Sequence, residues 1–267
     1  MHKARRTLRI GSVSFFNARP LIHGLENQPG LELFLDVPSR LLTDLAEHRF
    51  DVALLPIIDY QRMPGLKLVP SGGIGCDGPT LTVRIFSRVP IERVRSLACD
   101  TDSHTSVALA RILLAESYGV NPEFVDWIVH EQDRPRTDAM LLIGDKVVLD
   151  EPKDYAHQID LGGSWKAMTG LPFVFAAWVA RSGVDLGDLP LRLERAKHEG
   201  LLHVDEIVER HARPRGWPVA IARQYLTSVL RFDIGDRQLE AIRLFHALAA
   251  GRGIIASPPQ ELEIYRG

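Results

Sequence analysis

The chain has 267 residues, 45% apolar and 25% charged, with a formal net charge of -2. That length supports a sizeable core divided into two lobes, at roughly 150 residues per domain. The balanced charge argues against nucleic acid as the main partner and leaves only a local basic site possible.

The basic start, with His2, Lys3, Arg5 and Arg6, meets a short apolar run broken at Gly11 and Ser12 and followed by no small-residue cleavage site. No signal peptide is expected. Residues 8–16 read as a buried strand, 18–26 as a short helix, 31–37 as a strand, 39–48 as a helix capped by Ser39, and 52–57 as a strand. This is the βαβα rhythm of a mostly parallel sheet covered by helices. Over 66–87 the signals are strands and tight turns. Gly73, Gly75 and Gly78 spell G-x-G-x-x-G, but Pro79 and a strand-period run follow where a dinucleotide site needs a helix. The stretch is therefore read as a turn-rich connection.

A second unit begins near Val89. Its elements are a strand over 96–100, an apolar helix entered through 101–103 with Ser103 as its cap, and strands over 123–130 and 139–149. A buried strand over 173–181 and helices over 186–211, 219–230 and 236–250 complete the chain. Cys76 and Cys99 follow no metal or redox spacing and read as reduced packing residues, which points to a reducing compartment. No run of about 18 apolar residues suggests a membrane span.

One α/β unit inserted into another gives a discontinuous first lobe, 1–86 and 177–267, and an inserted second lobe, 87–176. Crossings near 80–87 and 173–181 are candidate hinges. The cleft between the lobes, outside the carboxyl ends of strands, is where a ligand belongs.

Asn17 closes the first strand, with Pro20 suited to the first turn of the following helix. Its side chain either caps that helix or offers a donor and an acceptor to a ligand, beside free N–H groups that attract an anion. Ser103, Thr105 and Ser106, with His104, crowd a second helix N-terminus, more hydroxyls than a cap needs, and favour a carboxylate or phosphate there. Strand alternation puts Thr80, Thr82 and Arg84 on one face. Arg84 either neutralises an acidic ligand or pairs with a carboxylate across the lobes, and Asp145 either lines the cleft or makes a turn. His198 and His203 are five apart, about 140° around a helix, and cannot share a metal. His130 with Glu131 lacks a second histidine, and no G-x-S-x-G elbow occurs. No metal and no covalent nucleophile are expected.

The successive blocks "RIGSVSFFNARPLIHGLE", "DVALLPIIDY", "GIGCDGPTLTVRIFS", "LACDTDSHTSVALARILL", "LLIGDKVVL" and "GSWKAMTGLPFVFAAWVAR", with "RFDIGDRQLEAIRLFHALAAGRGII" after them, resemble in order those of the menaquinone-biosynthesis chorismate dehydratases of the futalosine pathway. The resemblance implies an α/β, two-lobed, type II periplasmic-binding-protein-like fold with a central ligand cleft, here in a cytoplasmic enzyme. It implies removal of water from chorismate, a small-molecule dicarboxylate, to give 3-[(1-carboxyvinyl)oxy]benzoate, with no cofactor. Asn17 and Thr82 match the family's catalytic positions. Ser14, Arg84, Ser103, His104, Thr105, Ser106 and Asp145 make up the expected substrate-binding set. The opening typical of dihydroxynaphthoate synthase, a related enzyme, is absent. Four residues depart from the pattern: Ala18 for Thr, Thr82 for Ser, His104 for Arg, and Arg84 on a normally apolar strand, which bears on substrate choice. A non-catalytic small-acid-binding protein or an inactive paralogue is the alternative reading, and monomer and homodimer both stay open.

Overall fold

A computed structural model describes residues 6–129 and 133–266. His2, Lys3, Arg5, His130 and Glu131, discussed above, lie outside the described residues. In chain order the first elements are β1 (Leu8–Val13), β2 (Leu31–Asp36), α1 (Pro38–Ala46), β3 (Val52–Pro56) and β4 (Leu66–Cys76). There follow β5 (Val83–Ser87), β6 (Ser96–Asp100), α2 (His104–Tyr118), β7 (Glu123–Trp127), β8 (Ala139–Ile143), α3 (Asp145–Leu149), β9 (His157–Asp160) and α4 (Leu161–Thr169). The last are β10 (Phe173–Arg181), α5 (Leu189–Leu202), α6 (Val204–Ile207), α7 (Val219–Gln224), β11 (Leu230–Arg231) and α8 (Asp236–Gly251).

Two sheets result, one ordered β11-β4-β10-β3-β1-β2 and the other β7-β6-β8-β5-β9. In the first, β1 pairs in parallel with β2 and β3, while β10 runs antiparallel between β3 and β4. In the second, β6 is parallel to β7 and β8, and β5 is antiparallel to β8 and β9. One contiguous apolar core joins Ile10, Leu54 and Trp178 of the first sheet to Ile85, Leu97 and Leu141 of the second. Cys76 and Cys99 are buried within it as free thiols, and burial pushes both thiols up to about 12.

Several local expectations change. β1 stops at Val13, and 18–26 forms 3₁₀ turns, Phe16–Ile22 and Leu25–Asn27, with Pro20 inside the first. Lacking an N–H, Pro20 cannot support an α-helical ladder at that depth. Helix α1 starts one residue early, with Val37 at the N-cap and Pro38 at the first position, so Ser39 lies past the cap. The glycine-rich stretch 71–76 is strand. A Cβ at Gly73 would lie 2.6 Å from the Ala176 carbonyl oxygen and one at Gly75 2.5 Å from that of Phe173, so these glycines serve close strand approach. The strand read over 139–149 ends at Ile143, because Gly144 takes φ +63° and turns the chain into α3. The long terminal helices break up: 186–211 becomes α5, α6 and a π-helical turn, and 219–230 becomes α7, the π-helical turn Tyr225–Val229 and β11.

Sheet membership also moves the crossings. All of β5 belongs to the second sheet and all of β10 to the first, so the chain passes between sheets over 77–82 and 161–172 rather than within those strands.

Candidate ligand cavity between the sheets

A cavity of about 260 Å³ opens between the two sheets, and Asn17, Thr82, Ser103, Ser106 and Asp145 all line it. Its walls are otherwise largely apolar, with Val13, Phe16, Leu54, Val83, Ile143 and Trp217 among them. That mixture, a few polar groups set in an apolar wall, is what orients a small organic ligand.

Asn17 sits inside the 3₁₀ turn and not before it, so it caps nothing; Phe15 holds the N-cap position. Its Oδ1 is buried and has no hydrogen-bond partner among the described residues. Such an acceptor is costly to leave unpaired in the core of a protein. Thr82 is placed by a network behind it. The Asp160 carboxylate accepts from the Thr80 and Leu81 backbone N–H groups at 2.8 and 2.9 Å, holding Leu81 at φ +69°. The Thr82 carbonyl accepts from Gly144 N–H at 2.8 Å. The Thr82 hydroxyl then lies 2.8 Å from Tyr225 Oη. Tyr225 lines the same cavity, its ring tilted against those of Trp217 and Phe16 at centroid distances of 5.3 and 6.2 Å. Burial pushes its phenol up to about 12, against the opposing hydrogen bonds from Thr82 and Asn17.

On the other wall, Ser103 caps α2 by accepting from the Ser106 N–H, and its hydroxyl donates to Ser106 Oγ at 2.7 Å. Ser106 therefore keeps its own hydroxyl proton for the cavity. Lys146, which the sequence reading passed over, is the cation among the lining residues. It donates to both Asp100 oxygens at 2.8 Å and to Asp102 at 2.7 Å. Asp100 is fully buried, and that burial raises its pKa while Lys146 opposes the rise. Asp145 accepts from Trp217 Nε1 at 2.9 Å.

Four expected residues stand elsewhere. Ser14 is exposed, and its carbonyl accepts from Arg19. His104 pairs with buried Asp59 at 2.8 Å, and Thr105 Oγ1 accepts from Ile58 N–H at 3.3 Å. The helical period explains this split, because Ser103 and Ser106 share a side of α2 and the two residues between them do not. Arg84 faces Gln158 at 3.2 Å, Glu151 at 3.5 Å and Asp160 at 3.9 Å, on the paired strand β9 of its own sheet and in the connection before it. The left-handed Leu81 breaks the alternation that would have aligned Arg84 with Thr80 and Thr82, and β5 begins only at Val83.

Compared with known proteins, residues 8–251 match the family described as menaquinone biosynthesis. The chain belongs to this family. It is 28% identical over 235 residues to chorismate dehydratase of Thermus thermophilus, covering 81% of this chain and 86% of that one. It is 27% identical over 244 residues to chorismate dehydratase of Campylobacter jejuni, covering 88% and 95%. The periplasmic aliphatic sulphonate binding protein SsuA of Escherichia coli superposes with a TM-score of 0.65 at 13% identity, over 97% of this chain and 94% of that one. This family member therefore has the periplasmic-binding-protein fold. Among the described residues no helix is long and apolar enough to cross a membrane.

Proposed function

We propose that the protein is a chorismate dehydratase, a hydro-lyase that removes the C4 hydroxyl and C3 proton of chorismate to give 3-[(1-carboxyvinyl)oxy]benzoate. The observation that carries this reading is the meeting of Asn17 and Thr82 with the Ser103–Ser106 pair in one cavity. Asn17 and Thr82 hold the hydroxyl-bearing edge of the ring. Ser106 and Lys146 receive a carboxylate on the other side, and the apolar wall excludes water. The substrate's own enolpyruvyl carboxylate takes the C3 proton, because both carboxylates in the wall are engaged: Asp145 by Trp217 and Asp102 by Lys146. The electron pair left by that proton closes the aromatic ring as the C4–O bond breaks. Aromatisation makes the step strongly downhill, so orientation supplies much of the catalysis.

The test is to incubate purified protein with chorismate and follow the product by mass and ultraviolet absorbance. The expected result is a species lighter by one water with an aromatic spectrum. Intact chorismate, together with a different small acid that raises the melting temperature, would favour the non-catalytic binding protein instead.

A further inference from the structure

Tyr225 is a feature that the proposed reaction does not yet use. It occupies a π-helical turn, an irregularity frequent at functional sites. Its side chain is 2% exposed and borders the cavity. Among the described residues, Tyr225 is the one protein partner of the Thr82 hydroxyl.

We infer that Tyr225 is a positioning residue that lends its hydroxyl proton, through its hydrogen-bond partner Thr82, to the departing hydroxyl group. The inference rests on the dehydratase reading. Either oxygen of the Thr82–Tyr225 pair can donate; in the relay Tyr225 spends its single proton on Thr82 Oγ1, and the Thr82 proton is left for the cavity.

In the reaction the C3–H bond breaks first toward the substrate carboxylate, and its electron pair becomes the new ring π bond. The C4–O bond breaks with its pair on oxygen, the oxygen takes the Thr82 proton and leaves as water, and Thr82 takes the proton of Tyr225. The carboxylic acid formed at the start returns its proton to the phenolate through the released water. Hydrogen and hydroxyl leave as one water, and every protein group ends as it began. A phenol near 12 is a far better donor to nascent hydroxide than water at about 15.7. It is still neutral throughout the physiological range.

Tyr225→Phe tests this while keeping the ring against Trp217 and Phe16. The expected result is a kcat lower by about 100-fold with KM within about twofold, the size of a lost general-acid contribution. Thr82→Val is expected to lose as much, the double variant no more than either single one, since groups acting as a unit are not additive, and Thr82→Ser to keep near wild-type kcat. Wild-type kcat in Tyr225→Phe, or losses that multiply in the double variant, would overturn the relay while leaving the dehydratase reading intact. Wild-type protein that leaves chorismate untouched would overturn both. If Tyr225→Phe fails to fold, 3-fluorotyrosine at position 225 carries the test. A kcat moved more than twofold by the more acidic phenol supports the relay, and an unmoved kcat overturns it.

Discussion

Lys146 has three claimants: Asp100, Asp102 and, under the proposed function, a substrate carboxylate. Asp100 is buried and cannot leave, whereas Asp102 has a side chain 51% exposed and can be displaced. Asp102→Asn should therefore free one face of the ammonium and lower KM for chorismate about two- to fivefold, the worth of an exposed ion pair. Steady-state kinetics checks it, and an increased KM would mean that Asp102 helps to bind. Removing Lys146 is a poorer probe, because it strands a buried carboxylate. His246 gives a second test at this scale. Its Nε2–H donates to the Ile57 carbonyl at 2.9 Å and its Nδ1 accepts from Gln61 at 2.9 Å, and burial lowers its pKa from 6.5 to about 4. Between those values the unfolded chain binds the proton and the folded one does not, so stability falls as pH drops through that window. From pH 7 to pH 5 wild type should lose about 2 kcal/mol more than His246→Gln in urea titrations, and equal losses would refute the neutral ring. At this scale the place of Ser103, Ser106 and Asp145 beside the cavity was legible because each lies at the start of a helix, and that of Asn17 and Thr82 because they fall in the connections that follow β1 and precede β5. Tyr225 and Lys146 were not, since one arrives from about 140 residues downstream of Thr82 and the other sits in a stretch that reads as strand.

The 3₁₀ turn that carries Asn17 is held against α5, and the contact depends on Gly200. A Cβ there would meet the Pro20 backbone, 2.7 Å from its Cα. Gly200→Ala should cost about 1–3 kcal/mol, as overpacking does, and should lower kcat by displacing Asn17, read by urea denaturation and turnover together. A variant as stable and active as wild type would show that the turn is placed some other way. Elements with a strong period were readable: β3, β10 and α8 lie within two residues of the expected bounds, and α2 starts directly after its expected cap. The misread ones share a cause, in that backbone features overrode side-chain pattern. Pro20 tightened a helix into 3₁₀ turns, Gly144 cut a strand short, and Gly73 and Gly75, which read as turn, are a strand pressed against β10.

Over the whole molecule, the two sheets meet in a shared apolar core and border a common cavity. The two-lobed α/β plan was readable from strand and helix alternation. The point of crossing was not, because whether β5 hydrogen-bonds to β8 or to a first-sheet strand depends on pairings that no local pattern records. The placement of the ligand is the claim on which the other levels depend. A crystal structure of the protein with 3-[(1-carboxyvinyl)oxy]benzoate tests it most directly. The account predicts the ring between the sheets, its C4 edge within hydrogen-bond reach of Asn17 and Thr82, and a carboxylate on Ser106 and Lys146. A ligand bound outside this cavity, or seated in it with its ring edge turned away from Asn17 and Thr82, would contradict it.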